Sequence, residues 1–128
     1  MENKKAYKLL IVDDDQFLLN MYSLKFSKND YVVTTTTNPQ EALSKLREGL
    51  APDIILLDVI MPGMDGYQIL EAIRKEKLAE NAAIVMLTNQ SDGIDRIKEL
   101  KVDGYIVKAT IIPSEVVKEV TQILEKRA

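Results

Sequence analysis

Ile54-Ile55-Leu56-Leu57-Asp58-Val59-Ile60-Met61-Pro62-Gly63-Met64-Asp65-Gly66 is the stretch that decides the fold. Its four leading apolar residues run into a carboxylate without alternation, as in a strand covered on both faces. Pro62-Gly63 marks a turn, and Ile69, Leu70 and Ile73 then recur at helical spacing. The same unit repeats outward in both directions. Further apolar runs stand at Leu9-Leu10-Ile11-Val12, Tyr31-Val32-Val33, Ile84-Val85-Met86-Leu87 and Tyr105-Ile106-Val107. Their helical stripes are Phe17, Leu18, Met21 and Leu24, then Ala42, Leu43 and Leu46, then Ile94, Ile97 and Leu100, then Val116, Val117, Val120, Ile123 and Leu124.

Five strand–helix repeats predict an α/β chain with a parallel sheet, right-handed crossovers and helices on both faces. Asn38-Pro39-Gln40-Glu41 predicts an N-cap, a proline in the first helical position and a capping-box glutamate. Ser91 is the expected cap of the fourth helix, whose thin stripe and Gly93 make it the weakest. The last helix is expected near Pro113, with no good capping side chain ahead of it.

The length of 128 residues suits one domain over 1–128, with a polar segment at 1–7. Hydrophobic residues make up 46% and charged residues 29%, the balance of a soluble globular chain. A net charge of −3 argues against direct nucleic-acid binding through a basic patch. The absence of cysteine and histidine excludes disulfides, thiolate or imidazole metal sites and histidine catalysis. No apolar run approaches the roughly 20 residues that span a membrane, and the N-terminus has no secretory core, so a cytoplasmic setting is expected.

Chemistry in a parallel sheet gathers at the carboxyl ends of the strands. There the first strand delivers Asp13-Asp14-Asp15, the third Asp58, the fourth Thr88 and the fifth Lys108. Each has a bland alternative: Asp14 or Asp15 caps the next helix, Asp58 starts a turn, Thr88 merely ends a strand, and Lys108 is solvated. Together they mean more. Converging carboxylates need a cation, and oxygen-only ligands suit a hard ion, Mg2+ first. A carboxylate beside Mg2+ can attack a phosphoryl group, with Lys108 offsetting charge and the Thr88 hydroxyl bonding a phosphoryl oxygen.

As a set, Ile11-Val12-Asp13-Asp14-Asp15, Leu57-Asp58 through Asp65-Gly66, Leu87-Thr88 and Gly104-Tyr105-Ile106-Val107-Lys108 resemble the receiver domains of two-component response regulators, the CheY-like family. The likeness runs from about Lys8 to Lys126. It implies a doubly wound, flavodoxin-like (βα)5 fold with strand order 2-1-3-4-5. It implies Asp58 as phosphoacceptor, Asp14 and Asp58 as direct Mg2+ ligands, Asp13 acting mainly through water, and the Ile60 carbonyl completing the set. Thr88 and Lys108 resemble the switch hydroxyl and the phosphate-binding lysine, and the amides of Ile60 and Asn89 would face the phosphoryl group. Tyr105 matches the aromatic that turns inward with the threonine; the alternative is a half-exposed strand tyrosine without a switching role. The implied partners are a histidine kinase or phosphotransfer protein as donor and a downstream protein. That protein would meet the 91–101 helix, the Tyr105 strand and the last helix of a stand-alone domain, monomeric or dimeric on phosphorylation.

Several positions depart from the family pattern. Ala109 follows Lys108 where the family usually has a cis-linked proline, and a cis bond before alanine costs about 2.5–4 kcal/mol, so a trans or strained link is expected. Asn89 replaces a small residue and should narrow access to Asp58. Ile60 and Gln90 flank the line of water attack; isoleucine cannot orient that water, which predicts slow self-dephosphorylation with Gln90 a weak compensator. Two other readings compete. A magnesium-dependent phosphohydrolase would carry a second acid where Ile60 stands, and a receiver-like scaffold would bind partners without phosphorylation.

Overall fold

A computed structural model of the chain describes residues 6–61, 63–88, 94–108 and 112–127, with the backbone alone for 94–96. In chain order the elements are β1 (Lys8–Val12), α1 (Gln16–Ser27), β2 (Val32–Thr36), α2 (Pro39–Arg47), β3 (Ile54–Asp58), α3 (Gly66–Lys75), β4 (Ala83–Thr88), α4 (Ile94–Glu99), β5 (Gly104–Val107) and α5 (Pro113–Arg127). The strands form one parallel sheet in the order β2-β1-β3-β4-β5, as the family resemblance implies.

Successive side chains of a strand point to opposite faces. Leu9, Ile11, Ile54, Leu56, Val85 and Leu87 therefore meet α1 and α5, while Leu10, Val12, Ile55, Leu57, Ile84 and Met86 meet α2, α3 and α4. Both faces are covered, which is why the central strands are apolar throughout.

Helix α1 is rotated from its expected stripe, of which Leu18 still packs against the core. Leu19, Tyr22 and Phe26 are buried, whereas Phe17 is 70% and Leu24 61% exposed. Apolar residues surround most of α1, so spacing leaves its phase open. Seating Tyr22 and Phe26 together buries two large rings where the expected stripe offers one, and Phe26 packs edge-on against Tyr31 with ring centroids 4.9 Å apart. The stripes of α2 and α3 lie buried as expected, and α5 buries Val116, Val117, Val120 and Leu124.

Asn38 does cap α2, accepting from the Gln40 and Glu41 amides at 2.8 and 3.3 Å. The expected capping box is absent, because the Asn38 N–H already donates to Thr36 Oγ1 at 3.1 Å. Glu41 pairs with Lys45 instead, at 4.0 Å. The true capping box belongs to α3, where Asp65 and Gln68 exchange side-chain-to-amide bonds of 2.9 Å. α5 is capped from within, since Glu115 Oε1 accepts the Ile112 N–H at 3.2 Å.

The expected 91–101 helix is shorter. Ser91 and Gly93 lie outside the described residues, and α4 ends at Glu99. Lys101 takes a left-handed φ of +55°, which stops the helix there.

Candidate functional site

Strand register brings the acids together before any side-chain contact is considered. β1 and β3 are neighbours with Val12 opposite Leu57, so Asp13 and Asp58 leave the sheet side by side. Asp58 stands opposite Leu87, and Thr88 opposite Val107, which places Lys108 at the same end. The ladder runs on past the strand ends through Asp13 N–H to the Thr36 carbonyl at 3.2 Å and Val59 N–H to the Leu87 carbonyl at 2.9 Å.

Asp13, Asp14 and Asp58 each offer a carboxylate oxygen within 4.8 Å of the others. Asp13 and Asp58 are buried, whereas Asp14 is exposed. Burying two carboxylates is expensive unless they are paired. Lys108 does the pairing: its Nζ donates to Asp13 Oδ2 at 2.9 Å and stands 3.3 Å from Asp58 Oδ1. The other Asp13 oxygen accepts the Asp15 N–H at 3.0 Å, so both are taken. Asp15, of the two candidate caps, is the one that caps α1, accepting from the Phe17 and Leu18 amides at 3.0 and 3.2 Å.

Asp58 is the exception. Its Oδ1 is buried and, among the described residues, accepts no hydrogen bond, although Lys108 is within ion-pair reach. Burial, and next the charge of Asp13, push its carboxyl up to about 7 against the opposing pull of Lys108. Burial would lower Lys108, but the bond to Asp13 and the charges of both acids outweigh it, so the ammonium is raised and stays charged.

The donor set therefore suits a hard divalent ion. Among the described residues three carboxylates converge and one buried oxygen lacks a hydrogen-bond partner, and the chain has no histidine or cysteine to offer nitrogen or sulfur. A cation among them would offset both the burial and the Asp13 charge that raise the Asp58 carboxyl.

Thr88 is buried at the end of β4 beside this cluster. The Ile60 side chain is 64% exposed and Tyr105 36% exposed. Asn89, Gln90 and the Lys108–Ala109 bond lie outside the described residues.

Two contributors had no role in the sequence reading. A Cβ on Gly66 would lie 2.4 Å from the Asp58 carbonyl oxygen and 3.1 Å from Val59 Cα, both fixed backbone. The Gly66 N–H also donates to the Val59 carbonyl at 2.9 Å, closing the loop that follows Asp58. The Asp65-Gly66 pair was visible, but the approach of its backbone to β3 is a tertiary fact. Tyr22 is the other. Burial raises its hydroxyl pKa, and the charges of Lys108, Asp13 and Asp58 reach it.

The family model for the response regulator receiver domain matches residues 9–121. A probable transcriptional regulator, ycf27 of Cyanidium caldarium, is 35% identical over 127 residues, covering 98% of this chain and 49% of the relative. The chain thus spans about half the length of the curated relatives it matches. Among solved structures, a putative response regulator from Chloroflexus aurantiacus is 34% identical with a TM-score of 0.82, over 94% of this chain and 99% of that one. The chemotaxis response regulator CheY4 of Vibrio cholerae is 27% identical with a TM-score of 0.82, over 93% and 99%.

Proposed function

This chain belongs to the receiver domains of two-component response regulators, and from that premise we propose that Asp58 accepts a phosphoryl group and so switches a partner-binding face. The observation that carries the assignment is the buried, unbonded Asp58 Oδ1 inside a three-carboxylate cluster.

In this reading Asp14, Asp58 and the Ile60 carbonyl would hold Mg2+ directly. Asp13, whose oxygens are already occupied by Asp15 and Lys108, acts through water. Mg2+ would supply charge neutralisation on the equatorial phosphoryl oxygens and keep Asp58 ionised. An Asp58 carboxylate oxygen forms the new bond to phosphorus. The bond from phosphorus to the donor's nitrogen or acyl oxygen breaks, and its electron pair leaves with the donor. Lys108 then holds the added charge as a point cation, and the Thr88 hydroxyl bonds a phosphoryl oxygen, with the Ile60 and Asn89 amides facing the same group.

Movement of Thr88 is transmitted to α4, to the β5 strand carrying Tyr105, and to α5, the face a downstream protein reads. The donor is a histidine kinase or phosphotransfer protein, the partners the family uses. Output passes to a separate protein, to a second copy, or to a further domain of the same polypeptide. The 1–128 unit acts as one receiver, in the cytoplasm as the family does, without itself touching nucleic acid. It is a regulatory acceptor rather than a turnover enzyme. With exposed Ile60 unable to orient water, the phosphoryl group is retained for long periods; rapid loss undone by changing Gln90 alone contradicts that.

Intact mass after incubation with acetyl phosphate and Mg2+ tests the assignment. A gain of about 80 Da (one phosphoryl group) on wild type and none on Asp58→Asn is expected. Steady phosphate release points to a phosphohydrolase, and no reaction to a scaffold.

A further inference from the structure

The described part of helix α4 is Ile94–Glu99, and a stretch of that size is held in place by tertiary contacts rather than by its own backbone bonds. Its described core contact is Ile97, 1% exposed among the side chains between the sheet and α2–α3. Its last turn tightens, the Leu100 and Lys101 N–H groups donating to the Ile97 and Lys98 carbonyls at 3.1 and 3.3 Å. A side chain from another helix meets the two carbonyls that follow. Arg74 of α3 donates from Nη1 to the Leu100 carbonyl and from Nη2 to the Lys101 carbonyl, the latter at 3.1 Å. The guanidinium fork bonds two acceptors at once, and its charge complements the negative end of the helix. It does so beside a groove of about 710 Å³ lined by Tyr67, Leu70 and Leu100.

Beyond the turn the chain is fixed a second time. The Asp103 N–H donates to the Ile84 carbonyl at 2.9 Å, and Asp103 Oδ2 accepts the Ile84 N–H at 2.8 Å. The C-terminal end of α4 is thus tied to α3 on one side and to the sheet on the other. Its N-terminal end follows in sequence from Thr88.

We infer that Arg74 is a clamp on the C-terminal end of α4, making that end the pivot about which the helix answers the acidic site. The pivot rests on the reading of α4 as part of the switching face; the clamp does not. Arg74 touches none of the acidic-site side chains, so it is a positioning residue for the response.

Amide hydrogen exchange on wild type, Arg74→Ala and Arg74→Lys tests the clamp without any phosphodonor. Exchange at Lys98–Lys101 is expected to quicken about tenfold in Arg74→Ala. Arg74→Lys, which keeps the charge but loses the rigid planar fork, should fall between, and the Leu10 and Ile55 amides should keep their wild-type rates. Unchanged exchange at Lys98–Lys101, full protection in Arg74→Lys, or equal acceleration at Leu10 and Ile55 overturns it. Amide shifts of wild type with Mg2+ and beryllofluoride then test the pivot. Larger changes at Ile94–Ile97 than at Leu100–Lys101 are expected, and equal changes at both ends refute it. An adduct at Asp58 that leaves all of α4 unmoved refutes the pivot together with the switching face, and the exchange result for the clamp stands apart from it.

Discussion

At the amino end of the sheet, Asp53 Oδ2 accepts the Lys8 N–H at 2.7 Å, and Asp103 bonds Ile84 N–H through one oxygen and Arg127 through the other, at 2.8 and 2.6 Å. Arg127 also donates to the Asn81 carbonyl at 2.9 Å. These groups are partly exposed and their carboxylates find partners. At the carboxyl end, Asp13 and Asp58 are buried around a single lysine, and one Asp58 oxygen goes without a hydrogen bond. Both ends pair aspartates with a basic side chain, Arg127 at one and Lys108 at the other. Where the carboxylates are partly exposed and bonded, they act as staples that fix strand starts and the end of α5. Where they are not, the fold keeps electrostatic tension in place, and that tension is what a cation and a phosphoryl group can relieve.

The sharpest way to break this contrast is to remove one cation from each end. Lys108→Met leaves two buried carboxylates uncompensated and should cost about 3 kcal/mol of stability. Arg127→Met, at a pair that is more than a quarter exposed on both sides, should cost under about 1 kcal/mol. Equal losses in urea unfolding would erase the distinction between the ends.

Gly66→Ala sets a methyl against the Asp58 backbone and should cost about 1–3 kcal/mol. Because the strained atoms belong to the residue that carries the carboxylate, Mg2+ affinity should fall further than in another variant of matched stability. Calorimetric titration at a temperature where both remain folded checks this.

Asp58→Asn should do the opposite to stability. The folded carboxyl titrates near 7 and the unfolded one near its ordinary 3.8. Between those values the folded chain holds a proton that the unfolded chain has released, so stability declines as pH rises through that window. Asparagine removes the penalty. The metal-free variant should gain about 1–3 kcal/mol over wild type at about pH 8 and nothing at about pH 4, read from thermal unfolding at the two pH values. A gain that persists unchanged in acid means that its cause is not the buried charge.

Sequence made the sheet and the acidic convergence legible, because both follow from apolar runs that end in a charged residue at each repeat. Asp13, Asp58, Thr88 and Lys108 needed only strand register to meet. The facing of α1 was not legible. With Phe17, Leu18, Leu19, Met21, Tyr22, Leu24 and Phe26 all apolar or aromatic, one face wins only through packing against Tyr31 and α5. Glu41 misled for a local reason, since the donor it would have capped was already bonded to Thr36. Gly66 and Arg74 act through backbone approach and a bridge between helices, neither of which leaves a periodic mark.

Binding of a single divalent ion tests the central claim most directly. Mn2+, followed by electron paramagnetic resonance as a stand-in for Mg2+, should occupy one site on wild type. It should bind at least about tenfold more weakly to Asp14→Asn and to Asp58→Asn, while Asp103→Asn at the opposite end keeps wild-type affinity. Wild type that binds no ion, or an Asp103→Asn variant that loses it as the site variants do, contradicts the account.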